Sequence, residues 1–149
     1  MVLVISANFV SADHQSTFAR SACARSIQEA LAIASDQLPT LLDKLCDLYK
    51  EKNRLLVPEF DQFGMVIEST LNREDPWRTR KAIASALKAA SVHFDSASVQ
   101  TLFNLLLVDG ALGDRSQDVR SEMLEVGIIG KDQLSRLTCV NRQRQLRST

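Results

Sequence analysis

Any chemistry in this chain would have to come from two histidines, three cysteines and scattered carboxylates. His14 and His93 are the only imidazoles, and neither has a cysteine or carboxylate at metal-ligand helical spacing. Cys23, Cys46 and Cys139 are odd in number, far apart and form no Cys-x-x-Cys. They support neither a zinc ribbon nor a disulfide framework, and reduced thiols are the simpler reading. A nucleophilic cysteine needs a base and an orienting group, and Cys46 falls inside an amphipathic helical pattern. Gly64, Gly110, Gly113, Gly127 and Gly130 form no phosphate-cradling loop. Glu68, Glu74 and Asp75 cluster near a helix start, where capping and dipole complementation are the default roles for acids. We therefore expect no enzyme: no catalytic residue, no metal, no cofactor and no small-molecule substrate.

The one charged pattern with a regular spacing is structural. Asp75-Pro76-Trp77-Arg78-Thr79-Arg80 and Arg115-Ser116-Gln117-Asp118-Val119-Arg120 look like two copies of one helix start. Aligning Arg80 with Arg120 gives a period of 120 − 80 = 40 residues. That falls within the roughly 40–47 residues of HEAT and armadillo repeats. An acid near one helix start can pair with the arginine of a neighbouring repeat and fix the angle between hairpins. On this reading Asp75, Trp77, Arg80, Asp114, Asp118 and Arg120 are structural repeat positions. The alternative for Arg80 and Arg120 is phosphate binding. For Trp77 a core or inter-repeat contact outweighs a partner anchor, because it shares the apolar stripe of its helix.

The elements that would carry these residues are helices. Residues 26–37 place Ile27, Ala30, Leu31 and Ala34 on one face. Pro39 suits the first turn of a second helix over 38–53, with Leu41, Leu42, Leu45, Leu48 and Tyr49 as its apolar stripe. Residues 54–74 break the rhythm. We read them as a long ordered connection whose apolar residues pack down, with a turn of helix at 65–70. Asp75 then caps a third, alanine-rich helix that ends near His93-Phe94. Asp95-Ser96 caps a fourth through Val99, Leu102, Phe103, Leu106 and Leu107, which Gly110 and Gly113 end. A fifth covers 116–129 through Val119, Met123, Leu124 and Val126, and Gly130 closes it.

The expected architecture is all-α: a HEAT/armadillo-type α-α superhelix of about two helical hairpins plus flanking helices. Residues 1–25 form a poorly defined, partly helical segment. Residues 26–130 hold the repeats, interrupted by the connection at 54–74. Residues 131–149 form a basic tail, frayed or atypical. That tail has five basic residues against Asp132 alone, so it carries +4 and residues 1–130 carry −4 within a formal net charge of zero. A basic arm for RNA is conceivable, and a frayed terminus is the simpler alternative. No stretch approaches the roughly 18 apolar residues of a membrane span. The opening Met1-Val2-Leu3-Val4-Ile5 is too short for a signal sequence, so a soluble, cytoplasmic chain is expected. Two repeats are marginal alone, which suggests a piece of something longer.

Several stretches carry a more specific likeness. They are Val57-Pro58-Glu59-Phe60-Asp61-Gln62-Phe63-Gly64-Met65-Val66-Ile67, the start Asp75-Pro76-Trp77-Arg78-Thr79-Arg80, and Ala111-Leu112-Gly113-Asp114-Arg115-Ser116-Gln117-Asp118-Val119-Arg120. In these the chain resembles the general control translational activator family of giant HEAT-repeat scaffolds. The resemblance implies a non-enzymatic regulator that works on ribosomes and stimulates the initiation factor 2α kinase during amino-acid starvation. Its implied partners are the ribosome and proteins of that kinase pathway. The matching residues look like framework, and the resemblance implies no partner-binding residue among them. It leaves the face that binds partners, and any direct RNA contact, open. From Thr138-Cys139-Val140-Asn141-Arg142 onward the likeness stops. A different HEAT or armadillo adaptor, in transport or trafficking, is the alternative reading.

Overall fold

The computed structural model describes residues 17–148. The apolar run at 1–5 and His14 lie outside the described residues. The elements are α1 (Thr17–Ile33), α2 (Leu38–Lys52), α3 (Trp77–Ala90), α4 (Ser96–Phe103) and α5 (Gln117–Arg147), with short 3-10 turns between several of them. No strand occurs among the described residues, only an isolated antiparallel bridge between Phe60 and Val66. Nor, among them, is any helix long and apolar enough to cross a membrane.

Helix α3 sits at the centre. It packs on α1 to one side, on α5 to the other, and on α2 across the layer; α4 packs on α5 and touches α2. Helices α1, α3 and α5 thus make one layer and α2 and α4 the other. A helix pressed by three neighbours needs small residues. Ala82, Ala84, Ala86, Ala89 and Ala90 are all buried, between the larger buried Ile83 and Leu87. The expected stripes of α1 and α2 add Ile27, Leu31, Leu41, Leu42 and Leu45, joined by Leu38, and α4 and α5 add Val99, Leu102, Val119, Met123 and Val126. Cys46 is buried among them, and burial pushes its thiol up to about 11. A thiol that stays protonated at neutral pH is a core residue rather than a nucleophile. Lys88 on α3 pairs with Glu125 and, at 4.0 Å, with Glu122 on α5, clipping the two helices together on the surface.

Helix α4 begins as expected. The Asp95 side chain accepts from the Ser98 amide at 2.8 Å, and that bond holds its carboxyl below the usual carboxylate range. Its end differs from expectation. Residues Asn104–Val108 form a π turn, with the Asp109 amide reaching back five residues to Asn104. The extra residue per turn rotates the stripe, so Leu105 and Leu106 are buried and Leu107 is exposed. Gly110, at φ +75, turns the chain in a left-handed conformation that favours glycine.

Gly130 does not close α5. The helix runs on to Arg147. Gly127 and Gly130 are where α4 crosses it: a Cβ at 130 would lie 2.8 Å from Leu102 Cδ2, and one at 127 would lie 3.3 Å from Leu106 Cδ1. These glycines admit a neighbour, and no glycine or proline follows to stop the helix. The basic tail is therefore helical rather than frayed. Leu124, expected in the stripe, is exposed.

The connection 54–74 is ordered but does not pack down. Its helical piece is a 3-10 turn at Glu68–Thr70. Thr70 alone is buried within it, while Leu55, Val57, Phe60, Phe63, Met65 and Leu71 face solvent.

Candidate functional site

Two constellations stand out, one buried and polar, the other exposed and apolar. The buried one forms where the C-terminus of α2 meets the starts of α3 and α5. Arg80, in the first turns of α3, has no exposed surface. Its Nε and Nη2 donate to Asp114 at 2.7 and 2.9 Å. Its Nη1 and Nη2 donate to Asp75 at 2.7 and 2.9 Å, and Nη1 also reaches the Lys52 carbonyl at 3.1 Å. All five guanidinium N–H groups are thereby used.

Asp114 is saturated in turn. Beyond Arg80 it accepts from the Tyr49 hydroxyl at 2.7 Å and the Ser116 amide at 2.8 Å. Burial alone would raise its carboxyl, but the Arg80, Tyr49 and Ser116 hydrogen bonds outweigh that and hold it below its ordinary value. Burial and the same carboxylate push the Tyr49 phenol up. Asp75 also takes Arg115 Nη2 at 2.8 Å, while Arg115 Nη1 binds the Asn53 carbonyl at 2.9 Å. The Arg80 hydrogen bonds bring the Asp75 carboxyl down to about 2. Two arginines and two aspartates make the node neutral. With every donor of Arg80 committed, it has none left for a phosphate or for acid–base work.

Asp75 was expected to cap α3. Its side chain makes no cap bond, and Pro76 holds the cap position. The long-range arginines take the carboxylate that the local amides would otherwise use. Trp77 is half-buried against the core, with the Arg78 guanidinium 4.7 Å above its ring. Asp118 is exposed in the first turn of α5, and no ion pair of the described residues includes it. Arg120 does not repeat the Arg80 arrangement: it is exposed and binds the carbonyls of Asp114 and Arg115 at 2.6 and 3.2 Å. So Asp75, Arg80 and Asp114 are brought together, Arg120 touches the node only through backbone, and Asp118 stands apart. Sequence reasoning missed Tyr49, read only as apolar, and Arg115. A signal for Arg115 was available: it follows Asp75 by 115 − 75 = 40 residues, one repeat.

The exposed constellation is a small hairpin. Asp61 Oδ1 accepts from the Phe63 and Met65 amides at 2.8 and 2.9 Å, and the Asp61 amide donates to the Met65 carbonyl at 2.8 Å. Gly64, at φ +78, completes the turn. Below it the Ile67 amide binds the Glu59 carbonyl at 2.9 Å, and buried Thr70 accepts from the Glu59 amide at 2.9 Å. Arg73 adds an ion pair to Glu59 at 2.9 Å. This backbone network holds Phe60, Phe63 and Met65 out in water at 61, 80 and 67% exposure. An open groove at its foot is lined by Lys52, Leu56, Arg73 and Pro76 among others.

No group of three or more His, Cys, Asp or Glu side chains among the described residues could hold a metal ion. His93 lies half-buried in the 3-10 turn after α3.

Comparison with known proteins adds a family. Residues 4–137 match the family described as stalled ribosome sensor GCN1, HEAT repeats. The chain is 42% identical over 90 residues to the eIF-2-alpha kinase activator GCN1 of Saccharomyces cerevisiae, covering 58% of this chain and 3% of that protein. It is 34% identical over 109 residues to the stalled ribosome sensor GCN1 of Mus musculus and to that of Homo sapiens, covering 73% of this chain and 4% of each. No solved structure matches.

Proposed function

Because the chain belongs to the GCN1 HEAT-repeat family and spans only 3 to 4% of the length of its curated relatives, we propose that it is a non-catalytic segment of a ribosome-associated scaffold. It works in the cytoplasm, where translating ribosomes are. Its task is to present a rigid surface to the ribosome or to proteins of the initiation factor 2α kinase pathway. The two names carried by its relatives, ribosome sensor and kinase activator, motivate that choice of partners. A transport or trafficking adaptor is not favoured by those relatives.

The observation that carries the reading is the contrast between the two constellations. The polar node is spent internally, so it acts as framework: Asp75, Arg80 and Asp114 join successive hairpins. The hairpin 57–67 is the reverse, a fixed backbone whose apolar side chains no other described residue covers. Exposed apolar clusters on an otherwise packed molecule mark interaction sites. Pinning by Asp61 and Thr70 removes the ordering cost that a floppy loop would incur on binding.

Co-sedimentation with ribosomes tests the proposal. The expressed chain should travel with ribosomes, and Phe60→Ser/Phe63→Ser/Met65→Ser should shift it to the free fraction with its helical circular dichroism unchanged. Wild-type protein left at the top of the gradient would sink the ribosome reading. Equal pelleting of the triple variant would remove the hairpin from it.

A further inference from the structure

Among the described residues, the last third of α5 is exposed to solvent. Gln133, near the middle of the helix, donates to the Phe94 carbonyl at 3.1 Å. From Thr138 to the end of the described residues every residue is exposed. The match to the GCN1 HEAT repeats also stops at residue 137. Yet the helix continues to Arg147. Its charge is one-signed: Arg136, Arg142, Arg144 and Arg147 follow the final acid of the chain, Asp132. None of the four arginines takes part in an ion pair among the described residues.

At about 100° per residue, Arg136, Arg144 and Arg147 fall within an arc of about 80°, spread over about 16 Å of axis. Arg142 lies on the other side, more than about 110° from any of them. Val140 lies within the stripe, and Asn141, Gln143 and Ser148 flank it with amides and a hydroxyl. Leu134, Leu137 and Val140 fall within an arc of about 120°, but the arginines interrupt it and it does not continue past Val140. Leu137 and Leu146 are nine residues apart, which puts them on opposite faces, about 180° from each other. A membrane surface or an apolar protein groove needs a single continuous apolar face. A row of forked guanidinium groups with hydrogen-bonding side chains beside it fits a phosphate backbone.

We propose that the exposed end of α5 is an RNA-binding helix, with Arg136, Arg144 and Arg147 gripping successive backbone phosphates in a sequence-tolerant manner. The phosphate chemistry stands on the helix alone. The choice of RNA as its source rests on the ribosome reading above. An isolated helical extension with repelling arginines is marginal in water, and a polyanion both neutralises and supports it.

The test uses the full chain and a fluorescein-labelled single-stranded RNA of about 20 nucleotides, followed by anisotropy. With three phosphates neutralised, affinity should fall about 20-fold between 50 and 200 mM salt. Arg136→Gln/Arg144→Gln/Arg147→Gln should weaken binding at least about 10-fold at low salt, with circular dichroism unchanged because all three are exposed. Arg144→Gln should cost more than Arg142→Gln, since only the former is in the stripe. Equal losses from those two single variants would mean diffuse attraction and overturn the proposal. So would full binding by the triple variant, or tighter binding to phosphatidylserine vesicles or polyglutamate than to RNA. No ribosome is present in this assay, so its outcome is separate from that of the hairpin experiment.

Discussion

The node around Arg80 and the hairpin around Phe63 invert the usual distribution of polarity. At the first, three charged or phenolic side chains, Arg80, Asp114 and Tyr49, are buried. At the second, two phenylalanines and a methionine are held in water. Both are rigid, and for the same reason: hydrogen bonds from fixed partners. They differ in what those bonds are used for. In the node the bonds run between elements, from α2 to α3 to the turn before α5, so their product is the arrangement of the hairpins. In the exposed hairpin they stay within about a dozen residues and fix only local shape. Burial of charge here serves the stack, and exposure of apolar surface leaves the proposed docking face open.

The comparison breaks most readily at the node. Arg80→Ala leaves Asp114 buried without its counter-charge, and a loss of about 3–5 kcal/mol is expected in chemical denaturation. A loss below about 1 kcal/mol would show the node to be incidental. Acid probes the same place more gently. Asp75 and Asp114 have carboxyls depressed in the folded state, so the unfolded chain takes up their protons first. Their contribution is complete above the unfolded value of about 4 and fades as pH falls. For Asp75 the fade runs down to about 2. Unfolding midpoints should therefore drop between about pH 4 and pH 2, and Asp75→Asn should flatten that part of the profile. The smallest effect belongs to the hairpin. Phe63→Ser should change stability by less than about 0.5 kcal/mol, because the side chain is already in water. A larger loss would mean that Phe63 contributes to the core after all.

Much of the scaffold was legible beforehand. The stripes of α2 and α3 and the Asp95 cap follow from local periodicity and local capping, and both survive folding. What was misread depended on distance. Asp75 has every local mark of a cap, and only a folded chain brings Arg80 and Arg115 within reach of it. Gly130 resembles a helix terminator until α4 is seen to cross it, at which point it is a slot for Leu102. Hydrophobicity told of Phe60, Phe63 and Met65 that they were apolar, but not which way they would point. Asp61 decides that, through bonds to amides two and four residues on. Spacing singled out Arg80 and an acid near a helix start as a pair, whereas it could not pick Asp114 as the partner or the Tyr49 hydroxyl, whose ring fits an apolar stripe equally well.

The five committed N–H groups of Arg80 have one more consequence, which concerns assembly order. Helical hairpins with similar apolar faces can stack on the wrong neighbour, because apolar contact tolerates many partners. A guanidinium that must be buried does not. If the hairpin beside α3 lacked a carboxylate where Asp114 stands, Arg80 would be sealed in unpaired, at a cost of several kcal/mol. The arginine therefore works as a key cut for one lock. It proofreads which hairpin closes against which, and a repeat protein keeps its sequence of units in the right order by making the wrong order too costly to bury.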